Sequence, residues 1–156
     1  MNIILTGFTG FLGKVIYLDL FRNYENKINK VYLLIRSKKK LKSYDRFLKI
    51  LQDSPLKEKI KKHINKTVII DSELKSEYLG INNKILNNIS SKIDYIINSA
   101  AIVKFDNSPL QAYDDNCVTL NNILKTTKKY FNNIKRIIHV STFYVNFPGN
   151  SIDFNN

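Results

Sequence analysis

The stretch MNIILTGFTGFLGKV at the start of this chain spaces Gly7, Gly10 and Gly13 between two patterns of different period. Ile3, Ile4 and Leu5 make a short apolar run of the kind a buried strand needs. Leu12, Val15, Ile16 and Leu20 recur at helical spacing. The segment therefore predicts strand, glycine turn, helix. Such a turn gathers free backbone N–H groups at a helix N-terminus, where anions bind. In a dinucleotide fold the first glycine permits the tight turn, the second lets a pyrophosphate approach the backbone, and the third allows helix to pack closely on strand. Gly7, Gly10 and Gly13 take those roles in order, with the spacing GxxGxxG in place of the commoner GxGxxG.

Beyond the turn, apolar runs alternate with helical patterns, the signature of βαβ units and a parallel sheet. Strands are expected at Ile3 to Leu5, Val31 to Ile35, Val68 to Ile70, Tyr95 to Ile97 and Ile137 to Val140. Helices are expected near Leu12 to Tyr24, Tyr44 to Leu51, Leu56 to Ile64, Lys84 to Ile89 and Leu110 to Phe131. The last is the best signalled: Ser108 serves as N-cap, Pro109 takes the first helical position and Gln111 completes a capping box. Tyr113, Cys117, Leu120, Leu124 and Phe131 fall on one face of it, which reads Cys117 as a core residue. A length of 156 residues suits a single domain. The expected architecture is an α/β Rossmann-type doubly wound parallel sheet in three layers, over residues 1–147, with residues 148–156 as a tail.

The second strand ends in VYLLIRSKKK, where a fold selecting NAD carries an acid for the ribose 2′-hydroxyl. Arg36, with Ser37 and Lys38 beside it, suits a 2′-phosphate instead, so the expected cofactor is NADPH. The net charge of +12 comes with heavy use of Lys, Asn and Ile, whose codons are rich in A and T. That excess reads as a solvated, codon-biased surface, and no nucleic-acid partner is expected. One cysteine excludes an internal disulfide, and the chain has neither a signal-peptide pattern nor an apolar run of about 18 residues. The expectation is a soluble, intracellular (cytoplasmic) protein without a transmembrane segment, and with no metal site.

Taken together, ILTGFTGFLGKV, VYLLIRSKK, NSAAIVKFD and RIIHVSTFYVN resemble successive motifs of the fatty acyl-CoA reductase family. That family, with the male-sterility and thioester reductase domains, belongs to the extended short-chain dehydrogenase/reductases, and the resemblance runs from Asn2 to about Phe147. It implies reduction of a long-chain fatty acyl-CoA by NADPH to an aldehyde and on to an alcohol. It places the phosphate loop on Thr6, Gly7, Thr9, Gly10, Phe11, Leu12 and Gly13, and the 2′-phosphate arginine on Arg36. Asn98, Ala100 and Ala101 match residues that line the cofactor behind the nicotinamide ribose. Ser72 and Glu73 match a Gly-Asp pair near the adenine, with Asp71 one place early as the alternative acid. Asn116 matches an asparagine that organises a proton-relay water. Thr142 matches the hydroxyl that orients the substrate carbonyl, with Ser141 as its neighbouring competitor, while His139 reads as structural.

Two departures stand out. The family's glycine and threonine after the relay asparagine are replaced by Thr119 and Leu120, and none of the tyrosines has lysine four places on, as the catalytic YxxxK motif requires. The chain is thus expected to be C-terminally incomplete, to supply the cofactor half of a reductase and to be completed by a missing region or a partner chain. Alone, its fifth strand would leave a bare edge and poor solubility. The alternatives are a non-catalytic NADP-binding remnant and another extended short-chain reductase or epimerase. NSAAIVKFD and VSTFYVN argue against an epimerase.

Overall fold

The structure is a computed structural model that describes residues 1–38, 41–102 and 108–141. Five parallel strands, β1 (Asn2–Thr6), β2 (Lys30–Ile35), β3 (Thr67–Asp71), β4 (Tyr95–Asn98) and β5 (Arg136–His139), form one sheet in the order β3-β2-β1-β4-β5. Each lies where the apolar runs predict it. From β1 the chain winds outward to β2 and β3, then returns to build β4 and β5 on the other side, so the C-terminal end of β1 is a topological switch point.

Alternation along the strands divides the core in two. Ile3, Leu5, Val31, Leu33, Ile35 and Ile97 face a layer made by α1 (Phe11–Tyr24), α2 (Ser43–Gln52) and α3 (Lys57–Lys61). Ile4, Tyr32, Leu34, Ile70 and Ile96 face the opposite layer, which includes α4 (Asn83–Ile89) and α6 (Thr119–Tyr130). A strand buried on both faces needs the continuous apolar character that β1 and β2 show. Tyr17 on α1 is fully buried. Its hydroxyl hydrogen-bonds with Thr67 Oγ1 at 2.6 Å, and burial pushes the phenol up to about 12, so it stays neutral at physiological pH. Among the described residues no helix is long and apolar enough to cross a membrane.

The helix that follows β4 starts as expected. Ser108 Oγ accepts from the Gln111 N–H at 3.3 Å, and Pro109 opens α5 (Pro109–Ala112). Its buried face departs from expectation. A π-helical turn, Tyr113–Val118, separates α5 from α6 and takes more residues per turn than an α-helix, so the facing rotates. Cys117 is exposed, not in the core, and Tyr113 and Leu124 point outward with it. Asp115, Thr119, Ile123, Thr126 and Thr127 are buried instead. Threonines tolerate this because their hydroxyls bond back onto the helix: Thr119 donates to the Asp115 carbonyl at 2.9 Å, Thr126 to Asn122 at 2.7 Å and Thr127 to Ile123 at 2.8 Å.

At the other end of the sheet Asp94 ties three strands together. It accepts from the Asn2 N–H at 2.8 Å and pairs with Lys135 Nζ at 2.7 Å. The Lys135 ammonium, and then the Asn2 N–H, hold its carboxyl below the usual carboxylate range. A carboxyl with a lowered folded-state pKa contributes stability above its unfolded-state value, about 4, and loses it as pH falls through the folded-state value. Asp94→Asn is therefore expected to narrow the gap in melting temperature between about pH 6 and about pH 3. An unchanged gap in thermal melts would refute this role.

Candidate dinucleotide site

The three glycines at the switch point are distinguishable by what surrounds them. Gly7 has φ +76°, a conformation side chains resist, and a Cβ there would lie 2.6 Å from the Ser99 carbonyl carbon and 2.7 Å from the Ala100 nitrogen. A Cβ on Gly13 would enter the backbone of Gly7 and come within 2.7 Å of the Phe8 Cα. Gly10 differs: its Cβ would meet only the Gly7 oxygen, at 3.4 Å. Gly10 is also the N-cap of α1, which carries no side-chain cap and no acid in its first turn. The head of α1 thus has no cap and no acid of its own, which favours an anion there.

Beneath the turn lies a polar network built on the buried Thr6 and Asn98. Thr6 Oγ1 donates to Asn98 Oδ1 at 2.5 Å and accepts from the Ala100 N–H at 3.2 Å. Asn98 Nδ2 lies 3.0 Å from His139 Nδ1, and Ser99 Oγ donates to the Thr6 carbonyl at 2.8 Å. The Asn98 amide nitrogen is a donor, so His139 Nδ1 is the acceptor in this contact. The ends of β1, β4 and β5 are locked together by this chain of bonds.

A cavity of about 290 Å³ opens above it. Gly7, Thr9 and Gly10 form its floor, with Ser99 to Ile102 from the end of β4. Leu34 to Arg36, Arg46 of α2 and the segment Ser72 to Lys75 after β3 line further walls, and Asp115 and Thr119 line it from the π turn and α6. Arg36 Nη1 sits 3.3 Å from Glu73 Oε2, and Arg46 Nη1 donates to the Arg36 carbonyl at 2.7 Å. Two arginines and one carboxylate therefore line the cavity, Arg46 held on the Arg36 main chain and Glu73 on the Arg36 guanidinium.

The family model described as male sterility protein matches residues 5–152. The chain belongs to the male sterility protein family. It is 32% identical over 146 residues to the fatty acyl-CoA reductase wat of Drosophila melanogaster, and 30% identical over 153 residues to fatty acyl-CoA reductase 1 of Gallus gallus. Each match takes in 92% of this chain and 28% of the relative, so the chain spans little more than a quarter of these relatives. Among solved structures, the terminal R domain from the myxalamid PKS-NRPS pathway superposes with a TM-score of 0.76 at 28% identity, over 92% of this chain and 35% of that one. Yeast methylglyoxal/isovaleraldehyde reductase Gre2, complexed with NADPH, gives a TM-score of 0.70 at 14% identity, over 94% and 39%, a likeness of fold alone. The family and the Rossmann-type fold are those that the sequence motifs implied.

In this male sterility family chain the cavity brings together Gly7, Thr9, Gly10, Arg36, Glu73, Ala100 and Ala101 from four separate segments. The other residues implied by the resemblance sit elsewhere. Thr6 and Asn98 are buried in the network, Gly13 is buried under the turn, and Phe11 and Leu12 lie exposed at the head of α1. Of the two acids left open after β3, Glu73 lines the cavity, whereas Asp71 Oδ1 accepts from the Ser37 N–H at 3.0 Å and hydroxyl at 2.8 Å. Asn116 grips the backbone of Ile102 at both its N–H, 3.0 Å, and its carbonyl, 3.2 Å. Ser141 is exposed beyond β5, and Thr142 lies outside the described residues. Sequence reasoning missed Arg46, Leu74, Lys75, Asp115 and Thr119 on the cavity walls. No local pattern could have shown them, because each reaches the cavity only through the packing of distant segments.

Proposed function

We propose that this chain forms the NADPH-binding part of a fatty acyl-CoA reductase. The observation that carries the reading is the convergence on one cavity of the uncapped head of α1, with Gly10 open toward it, and of Arg36 and Arg46. Bound there, NADPH would supply a hydride to an acyl thioester carbonyl. The chain's own part is to hold and orient it. The Gly7 to Gly13 turn offers backbone N–H groups to the pyrophosphate, and the two arginines offer charge to the 2′-phosphate. Ala100 and Ala101 keep the wall low enough for close approach. Asn116 fixes the backbone that follows them, and Ser141 or Thr142 contributes a hydroxyl at the strand end, where open α/β sheets place their chemistry. An acyl-CoA substrate is supported by the two reductases named above.

Titration with NADPH and NADH tests the reading. Arg36→Ala is expected to weaken NADPH binding by about 10- to 100-fold, the worth of a charge-assisted hydrogen bond, and to leave NADH nearly unchanged. Equal losses for both cofactors would sink the 2′-phosphate assignment. Glu73 pairs with Arg36 and so competes with that phosphate. Glu73→Gln is accordingly expected to tighten NADPH by a few-fold and raise the NADPH to NADH ratio, while a fall in that ratio would contradict the competition.

A further inference from the structure

The segment after β3 is braced more heavily than an exposed connection needs. Tyr78 and Leu79 both have positive φ, 49° and 61°, followed by Gly80 at 61°. Consecutive left-handed residues of this kind are costly and persist only where the surroundings hold them. Here the holding contacts are explicit: Leu79 is buried, and its carbonyl accepts from the Glu73 N–H and from Ser72 Oγ, each at 2.9 Å. The bend returns the segment against itself and presents Ser72 to Lys75 to the cavity.

Two links then join that segment to the helix across from it. Asn122 Nδ2 donates to the Leu74 carbonyl at 3.0 Å, and Lys75 Nζ forms an ion pair with Asp115 Oδ1. The Asp115 side chain is only 6% exposed, whereas Lys75 is 43% exposed. Both line the cavity, and they belong to different walls of it. The π turn supplies the placement: it turns Asp115 inward while its neighbour Asn116 holds Ile102. A carboxylate buried to this degree at the edge of an anion-binding groove is unfavourable unless a cation covers it.

We infer that Lys75 and Asp115 are a clasp that sets the width of the groove at its base end and so the residence time of the dinucleotide. This rests on the dinucleotide reading above. The glycine turn takes the pyrophosphate and Arg36 the ribose phosphate, so the base lies beyond Arg36, toward the wall that follows β3. Lys75 and Asp115 are positioning residues: they hold the two walls, and the walls hold the adenosine half.

The test is stopped-flow binding and release of NADPH by the full chain and by Lys75→Met, Asp115→Asn and the swapped pair Lys75→Asp/Asp115→Lys, with thermal melts alongside. Each single variant is expected to release NADPH about tenfold faster with association changed less than about twofold, since loosening the walls that hold a bound ligand acts mainly on dissociation. The same acceleration is expected with 2′,5′-ADP, which has the adenosine half alone. The swapped pair is expected to restore most of the residence time, which a general loss of packing would not allow. Unchanged release rates, or opposite effects of the two single variants, would overturn the clasp while leaving the dinucleotide reading intact. Should Asp115→Asn fail to fold, Lys75→Met, at a half-exposed position, still decides. Wild-type chain that melts cooperatively and binds no dinucleotide would overturn the reading beneath the clasp and the clasp with it.

Discussion

Gly13→Ala is expected to unfold this chain under conditions where Gly10→Ala leaves it native. The two glycines stand three residues apart in one motif, yet a methyl group on Gly13 would occupy the backbone of Gly7 and crowd the Phe8 Cα, while one on Gly10 would meet a single oxygen at 3.4 Å. Backbone cannot be repacked as a side chain can, so at Gly13 the helix itself must move off β1. Overpacking of this kind costs about 1–3 kcal/mol or more, and the clash here is against main chain, so about 3–5 kcal/mol is expected. That is a large share of the stability of a small domain. Gly10 has ordinary φ and ψ, −83° and 175°, and its added methyl would meet one backbone oxygen at about van der Waals distance. Gly10→Ala should melt within a degree or two of wild type, and Gly10→Val should lose dinucleotide binding without loss of fold. Circular dichroism melts and a cofactor titration on the three proteins decide the matter. Equal destabilisation at both positions would show that the glycines do not divide their roles in this way.

A second large effect is expected at Asn98, from polar rather than steric causes. Asn98 and Thr6 are both buried, and they stand 92 residues apart in sequence with 2.5 Å between their bonded oxygens. Asn98→Leu keeps the volume and removes both amide functions. The Thr6 hydroxyl loses its acceptor, the His139 ring loses its partner, and the Ala100 N–H keeps only Thr6. Of these only the Thr6 hydroxyl is buried and left without an acceptor, the His139 ring being exposed to water, so a loss of about 1–3 kcal/mol is expected, read as a lower urea midpoint at constant slope. Thr6→Val breaks the same network from the other side, and the double variant should cost less than the sum of the two. Strict additivity would mean that the two side chains act independently. Since Ala100 lines the cavity and bonds into this network, the same variants should also loosen cofactor binding.

Most of the fold was legible because its signals are local. A strand buried on both faces reads as an apolar run, a turn between strand and helix shows its glycines, and Ser108, Pro109 and Gln111 write the start of their helix in four positions. The glycine spacing and the basic end of β2 likewise marked the floor and one wall of the cavity from short segments. Where sequence and structure part, the cause is a contact between distant segments. The apolar stripe through Cys117 suggested the buried face of the last helix, but the π turn rotated it, and threonines that satisfy their own hydroxyls took the core positions.

By itself, then, the sequence determined the element order, the parallel three-layer class, the site of the glycine cradle and the family. These depend on residue type and spacing within a few turns of chain. Only the tertiary structure decided which of Asp71 and Glu73 lines the cavity. It also decided that Arg46 joins Arg36 and that Lys75 meets Asp115. Each is a matter of how far apart two segments lie once the sheet has formed, and short-range interactions, whether a methyl against backbone or an ammonium against a carboxylate, are settled by that distance alone.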